Sequence, residues 1–447
     1  MSRGEYLSNS ESIAIPPEVE EPIMHLPKTR ALYYEDPYLR EFEAKVLKSI
    51  TIGQHSYLAL DKTAFFPEGG GQPGDQGVVD AQGANFKVSD TRAVGQVVVH
   101  ILSRPFGGEG IATKGTIDWP RRYSNMKHHT AAHIVFSATK SVLKMKDLRY
   151  MGFQISTDRV RIDLNRDESI TPSQINEIEK TANLTALKQL SVKTSFTTRD
   201  EAVKKFGSEL GLTEVTPSGD VRLVEVGDQD VSLCCGTHVR STIEVVPIKI
   251  LGRLRLQKGI ERLEVAAAEH GFAEFSKTSE TVSKLIDLLD SEIRSVAPRV
   301  QQLLEEKERI KDELRKLRMS AAESEALRYL SNAESVGSFK VVTRTLEDLD
   351  ADTLKRMALK ITYSDQDTIV ILGSSNETTH LVAAAGANFS KLGLNIGEIV
   401  RAVAQKGGCR GGGTSNLAQT GGFPGNKTRE FVQQVREAII HGVPEKG

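Results

Sequence analysis

His129 and His133 stand four residues apart in the segment H-T-A-A-H. On a helix this is a little over one turn, so both imidazoles leave one face and can converge on a single ion. His128 points roughly 100° away and is the poorer candidate. Cys234 and His238 repeat the same separation in C-C-G-T-H, a glycine-containing turn that can fold back on itself. Cysteine with histidine favours zinc by ligand softness, and the two pairs complete a set of His129, His133, Cys234 and His238. Cys235 is the rival sulfur ligand, with Cys234 then a small buried hydrophobe. A closed set of four protein ligands is usually structural, whereas a catalytic zinc keeps a position for water, so zinc alone does not establish hydrolysis. No glutamate follows His129, which sets aside the H-E-x-x-H protease pattern.

A third group of chemistry-bearing residues is T-A-F-F-P-E-G-G-G-Q-P-G-D-Q-G, residues 63–77. Gly69, Gly70 and Gly71 let a backbone approach a ligand closely and present its N–H groups. Thr63 offers a hydroxyl and Gln72 an amide, both suited to reading a small polar substrate. Glu68 and Asp75 are placed to act on protons or to anchor the loop. The bland alternative is a barrel turn with no ligand, and the segment lacks the Lys and Ser/Thr of a phosphate-binding P-loop. Basic clusters suited to phosphate lie at Arg121, Arg122 and Lys127, at Arg253, Arg255, Lys258 and Arg262, and at Lys406, Arg410, Lys427 and Arg429. Solvated surface is the default reading of each.

The elements that must position these residues change character along the chain. Residues 1–30 read as a weakly ordered leader or a surface strap. Residues 31–118 carry short apolar runs (EFEAKVLKSI, SYLAL, GVVD, FKVSD, QVVVHIL) cut by Gly and Pro, the signature of a small β-barrel or sandwich. Residues 119–272 are α+β. RRYSNMKHHTAAHIVFSATKSVL and TPSQINEIEKTANLTALKQ read as helices, the second capped by Thr171 ahead of Pro172. Strands are expected at VRLVEV, around SLCCGTHV and at IEVVPIKIL. In residues 273–335 a seam runs from Ile286 through Leu289, Ile293, Val296, Val300, Leu303, Lys307, Ile310, Leu314 and Leu317 to Ala321, spaced by three and four and apolar at all but Lys307. It predicts a helical hairpin or coiled coil, with Pro298 at a kink or at the start of the second helix. Residues 336–447 read as a compact α/β unit, with residues 407–422 a long glycine-rich loop. The fold class is therefore α+β and multidomain.

Composition limits the function. The 447 residues hold 58 Lys plus Arg against 59 Asp plus Glu, a net charge of −1, which excludes a globally basic nucleic-acid coat, so a polyanion must be held by local patches. Hydrophobic residues at 39% with charged residues at 26% are a globular balance. Cys234, Cys235 and Cys409 are too few for a disulfide scaffold, so a cytoplasmic, reducing setting is expected. No apolar run reaches the length of a membrane span, and the first residues lack a signal-peptide pattern.

The order T-x-F-x-P-E-G-G-G-Q-x-x-D-x-G, D-W-P-R-R-x-x-x-M-x-x-H-T-A-x-H and S-L-C-x-G-T-H resembles the editing domain of alanyl-tRNA synthetases, above all the free-standing editing proteins of the AlaX group. The resemblance runs from about residue 31 to 270. G-G-G-T-S-N-L-A-Q-T-G-G is similar to the DHH-associated domain that ends alanyl-tRNA synthetases, which points to the long AlaX form. The resemblance implies a trans-editing deacylase that hydrolyses tRNA(Ala) mischarged with serine, with glycine as a second candidate. It implies zinc on His129, His133, Cys234 and His238, an editing loop at Gly69, Gly70, Gly71 and Gln72, and a seryl-hydroxyl reader at Thr63. Glu68, Gln72, Asp75 and Arg122 complete the expected substrate contacts. Cys235 departs from the pattern, which usually has Gly there. The C-terminal domain implies tRNA binding and leaves open a homodimer formed through it or through the helical hairpin. No DHH phosphoesterase half is present, and the short stretch before the barrel is expected to leave no room for an aminoacylation domain. Editing of another mischarged tRNA, and a zinc-stabilised tRNA-binding module without turnover, are the alternatives.

Overall fold

Along Glu41–Ile52, Phe42, Ala44 and Val46 are buried while Glu41, Glu43 and Lys45 face solvent, the period of two of a strand with one face inward. That strand opens a closed six-stranded barrel. Its order is Glu41–Ile52, His55–Leu60, Val97–Leu102, Ala84–Val94, Gly77–Ala81 and Ala112–Ile117, closing back onto the first. Closure removes every free sheet edge, and Phe42, Val46, Leu58, Phe65, Val88 and Leu102 fill the interior. The computed structural model describes residues 14–210, 220–375 and 379–442. Much of the expected leader, residues 1–13, lies outside them. The remainder of the leader is more regular than its composition suggests. Pro17–Met24 is a helix whose Val19 and Ile23 are buried against Tyr57, Ala59, Val97 and Val99 on the outside of the barrel.

The barrel leads into the long helix Trp119–Leu143. Its first turn is capped by Asp118, whose carboxylate accepts the Arg121 N–H at 3.3 Å, and Lys144 ends it in the left-handed conformation. Fifteen of its residues are buried, including both candidate ligand histidines, because it is covered on several sides. The helix Pro172–Ala186 packs along it, started by a reciprocal capping box between Thr171 and Gln174. A four-stranded antiparallel sheet, ordered Ile248–Gln257, Ile260–Ala267, Val160–Asn165 and Tyr150–Ile155, supplies another wall. A three-stranded sheet, Val192–Thr198, Asp220–Val226 and Asp230–Leu233, completes the surroundings.

Two sequence expectations need correction here. The strand at SLCCGTHV stops at Leu233, and Cys234–Val239 is irregular backbone. IEVV is a 3₁₀ turn, Thr242–Val245, because Pro247 interrupts the run and the strand starts only at Ile248.

The chain divides between Leu285 and Ile286 into two units. In the second unit the helix Val296–Ser331 holds Pro298 in its first turn, where a missing N–H costs nothing. It leaves Val300, Leu303, Ile310, Leu314 and Leu317 exposed. Beyond it lie six strands in the order Glu334–Val336, Phe339–Glu347, Thr368–Ser375, His380–Ala385, Leu417–Gly421 and Arg410–Gly413. Only Phe339–Glu347 and Thr368–Ser375 run parallel among these pairs. Helices Ala351–Ser364, Ile396–Lys406 and Thr428–Ile440 cover the sheet. Residues 407–422, expected as a loop, mostly form the last β-hairpin. Glycines at 411 to 413 let the strand pass close to Thr420, Arg401 and Ala418, where added side chains would collide. No helix among the described residues is long and apolar enough to cross a membrane.

Candidate metal centre

One ligand atom from each of His129, His133, Cys234 and His238 lies within 4.8 Å of all the others. Cys234 Sγ is 3.1 Å from His129 Nε2 and 3.4 Å from His238 Nε2. The long helix delivers the first two imidazoles one turn apart. The irregular backbone after Leu233 folds Cys234 and His238 back toward them. Gly236 makes this fold possible, since a Cβ there would lie 2.1 Å from His129 Cε1. Cys235 turns the other way, toward the glycine loop, where a Cβ on Gly70 would meet its Sγ at 2.7 Å.

The outward ring nitrogens are all engaged. His129 Nδ1 bonds Gln72 Oε1 at 3.0 Å, His133 Nδ1 bonds Asp230 Oδ2 at 2.9 Å, and His238 Nδ1 pairs with Thr130 Oγ1 at 3.1 Å. Such partners fix ring orientation and leave Nε2 for the ion, as in characterised metal sites. Charges agree with the donor set. Burial alone would raise the Cys234 thiol, but His129 and His238 beside it, with hydrogen bonds from His129 and His133, hold it well below the ordinary range. Burial pulls His129 and His238 down, so both are neutral. Burial acts the same way on His133, but Asp230 and Cys234 overcome it and raise that ring to about 10. A thiolate with three imidazoles suits a tetrahedral, borderline-soft cation, for which His133 would have to give up its proton.

The glycine turn adjoins this cluster. Gly69 and Gln72 exchange N–H···O bonds at 3.1 and 3.0 Å, and between them Gly70 and Gly71 take φ of +58° and +77°. Two successive positive φ values are the geometry that glycine alone adopts at no steric cost. Gly71 carbonyl accepts the Ile155 N–H at 2.7 Å, tying the turn to the edge strand. The N–H groups of Gly70 and Gly71 have no partner among the described residues. Gln72 is fully buried. Besides His129 it accepts the Thr237 N–H at 3.0 Å and donates to Thr237 Oγ1 at 2.8 Å, so its amide braces both ligand segments.

The structure gives the other expected substrate residues different surroundings. Thr63 is fully buried, with Oγ1 2.8 Å from His100 Nε2 and accepting the Phe65 N–H at 3.1 Å. Arg122 and Asp75 are a completely buried ion pair. Arg122 also donates to the carbonyls of Ala64 and Pro37, and Asp75 accepts the Phe66 N–H. Glu68 pairs with Arg92. His128 is a satisfied core histidine, bonded to Ser124 carbonyl and to the Ala267 N–H. Of the basic clusters, Lys127 is paired with Glu269, Arg253 with Glu261 and Arg262 with Asp163. Sequence reasoning missed Asp230, which lies outside any motif, and Thr130 and Thr237, which lie inside H-T-A-A-H and C-C-G-T-H without having been assigned a role. It also missed Tyr150, whose ring lies 6.5 Å from that of His133 and whose buried hydroxyl has no partner among the described residues.

Burial lowers His100 to about 4, so it is neutral in the fold. An unfolded histidine protonates near 6.5. The stabilisation linked to His100 is therefore complete above pH 6.5 and is lost as pH falls through 4, worth about 3 kcal/mol. His128, also lowered to about 4 by burial, acts in the same window. We expect urea midpoints to fall between pH 6.5 and 4, and to fall less steeply in His100→Gln. Equal slopes would contradict this assignment.

Comparison with known proteins places these features. Residues 12–121 match the model of class II (A) tRNA synthetases, residues 221–264 the threonyl and alanyl tRNA synthetase second additional domain, and residues 338–441 the DHHA1 domain. The alanine–tRNA ligase of Pyrococcus furiosus is 34% identical over 418 residues, 93% of this chain and 44% of that protein. The ligase of Methanosarcina mazei is 36% identical over 429 residues, 94% of this chain and 45% of that protein. The chain thus spans less than half the length of these relatives. The C-Ala domain of Aquifex aeolicus alanyl-tRNA synthetase aligns over 24% of this chain and 97% of its own, at 25% identity and a TM-score of 0.23. The barrel thus falls within the class II (A) match, Cys234 and His238 of the ligand cluster fall within the second-additional-domain match, and the DHHA1 match falls within the C-terminal unit. The chain belongs to the alanyl-tRNA synthetase-type editing family, in its AlaX-like long form with a DHHA1 domain.

Proposed function

We propose that the protein is a zinc-dependent trans-editing deacylase that hydrolyses the ester of tRNA(Ala) mischarged with serine, with glycine as a second substrate. The observation that carries this reading is the four convergent ligand atoms beside a glycine turn with two unpartnered N–H groups. His129, His133, Cys234 and His238 would hold the zinc, which would supply positive charge beside the aminoacyl group. The chain's own residues do the rest. Gly70 and Gly71 N–H groups donate to the oxyanion that develops at the ester carbonyl. Gln72, Asp230 and Thr130 hold the imidazoles in orientation. Tyr150, with its orphaned hydroxyl, is the group left to pair with a seryl side chain. A site built around such a bond rejects a substrate that cannot make it. A homodimer through the exposed 300–317 seam or the C-terminal unit is the corresponding proposal for assembly.

Two variants separate the roles of the hydroxyls. Tyr150→Phe is expected to reduce the preference for seryl- over alanyl-tRNA(Ala) by at least about tenfold. Thr63→Val leaves His100 Nε2 and the Phe65 N–H unpaired, so it should cost about 1–3 kcal/mol of stability and leave discrimination unchanged. Deacylation rates on both substrates, with thermal melts, test this. Relaxed discrimination in Thr63→Val with an unchanged melt would return the serine-reading role to Thr63.

A further inference from the structure

An aromatic groove of about 580 Å³ lies along the first unit, lined by Lys28, Arg30, Tyr34, Pro67, Gln96 and Phe196. Phe196 is 62% exposed, an unusual position for a large apolar ring, and it meets Tyr34 edge-on with centroids 5.6 Å apart. One of its faces is therefore free. The groove connects to the metal cluster through defined contacts. Phe196 pairs across the sheet with Arg222, whose guanidinium sits 4.9 Å over the Tyr34 ring and donates to Cys234 carbonyl at 2.8 Å. Cys234 N–H returns a bond to Arg222 carbonyl. Phe196 is thus two strand spacings, roughly 10 Å, from the backbone of a cluster residue. Pro67, at the other side, leads directly into the glycine turn.

We propose that this groove seats the terminal adenosine of the tRNA, its base stacked on the open face of Phe196 beside Tyr34. The inference rests on the deacylase reading, which needs the nucleoside carrying the ester to lie close to the cluster. The lining fits that occupant. A planar base needs an exposed aromatic face, and every base offers a π-surface to it. Lys28 has no ion pair among the described residues and suits the phosphate that precedes the nucleoside. The exposed Gln96 amide is free to bond a base edge. A protein ligand would need apolar continuity, which charged Lys28, Arg30 and Glu35 interrupt.

The test uses the zinc-loaded full chain, Phe196→Ala and Phe196→Tyr. The probe is tRNA(Ala) whose terminal adenosine is replaced by fluorescent 2-aminopurine. Deacylation of seryl-tRNA(Ala) is measured in parallel. The wild type should quench the probe. Phe196→Ala should lose the quenching and raise KM about tenfold or more, with kcat and bound zinc unchanged, and Phe196→Tyr should restore both. Equal quenching or an unchanged KM in Phe196→Ala overturns the adenosine site. Quenching by a wild type that releases no amino acid upholds the site and removes the deacylase reading instead.

Discussion

Cys234→Ala is expected to lose bound zinc and deacylation together. The sulfur lies 3.1 Å from His129 Nε2 and 3.4 Å from His238 Nε2, and as a thiolate it would offset part of the cation's charge. Removing even a hydrogen-bonding partner of a metal ligand costs about 10- to 100-fold in affinity or activity. Removing the thiolate ligand should exceed that, leaving three imidazoles, one already biased toward its protonated form by Asp230. Cys235→Ala is the control. Its Sγ faces Gly70, so zinc should stay near one per chain. Metal analysis of the purified variants decides between the adjacent cysteines. Stoichiometric zinc in Cys234→Ala, with loss in Cys235→Ala, would reverse the assignment.

Arg122→Met should destabilise the first unit by about 3–5 kcal/mol, because it strands the Asp75 carboxylate without its counter-charge in a fully buried position. The Ala64 and Pro37 carbonyls lose donors as well. Replacing Asp75 together with Arg122 by apolar residues should recover part of the loss, since two matched apolar groups leave nothing uncompensated. Denaturant midpoints for the single and double variants measure this. Folded Arg122→Met at low temperature should still bind zinc, as Arg122 touches no ligand. Had Arg122 held a tRNA phosphate, the variant would show wild-type stability and a raised KM.

These two residues show what a sequence can and cannot disclose. His129 and His133, and Cys234 and His238, are legible because each pair is local. A helical turn and a glycine turn fix the separation within a pair, and ligand chemistry then joins the pairs. The barrel strands were legible for the same reason, since alternating burial such as Phe42, Ala44 and Val46 is a short-range signal. Arg122 meets Asp75 across 47 positions, a pairing that only the fold creates. Without it, Arg122 read as a phosphate contact and Asp75 as a substrate contact. The partner of Thr63, His100, lies 37 positions away and nothing local announces it. Asp230 was invisible because an acidic residue at the start of a strand, 97 positions from His133, carries no local signal. Pro17–Met24 read as a strap because its two buried side chains, Val19 and Ile23, are a weak pattern without the barrel they cover. The hairpin at 410–421 read as a loop because its glycines signal turns more strongly than strands.

As a trans-editing deacylase, the protein would use the zinc-loaded His129–His133–Cys234–His238 cluster to release a wrong amino acid from tRNA(Ala). The most direct test compares seryl-, glycyl- and alanyl-tRNA(Ala) deacylation by the zinc-loaded and chelator-stripped protein. The loaded protein should release serine rapidly, release glycine and spare alanine, and stripping should abolish turnover that added zinc restores. Binding of tRNA(Ala) with no release of amino acid above the spontaneous rate, metal present or not, would contradict the deacylase reading.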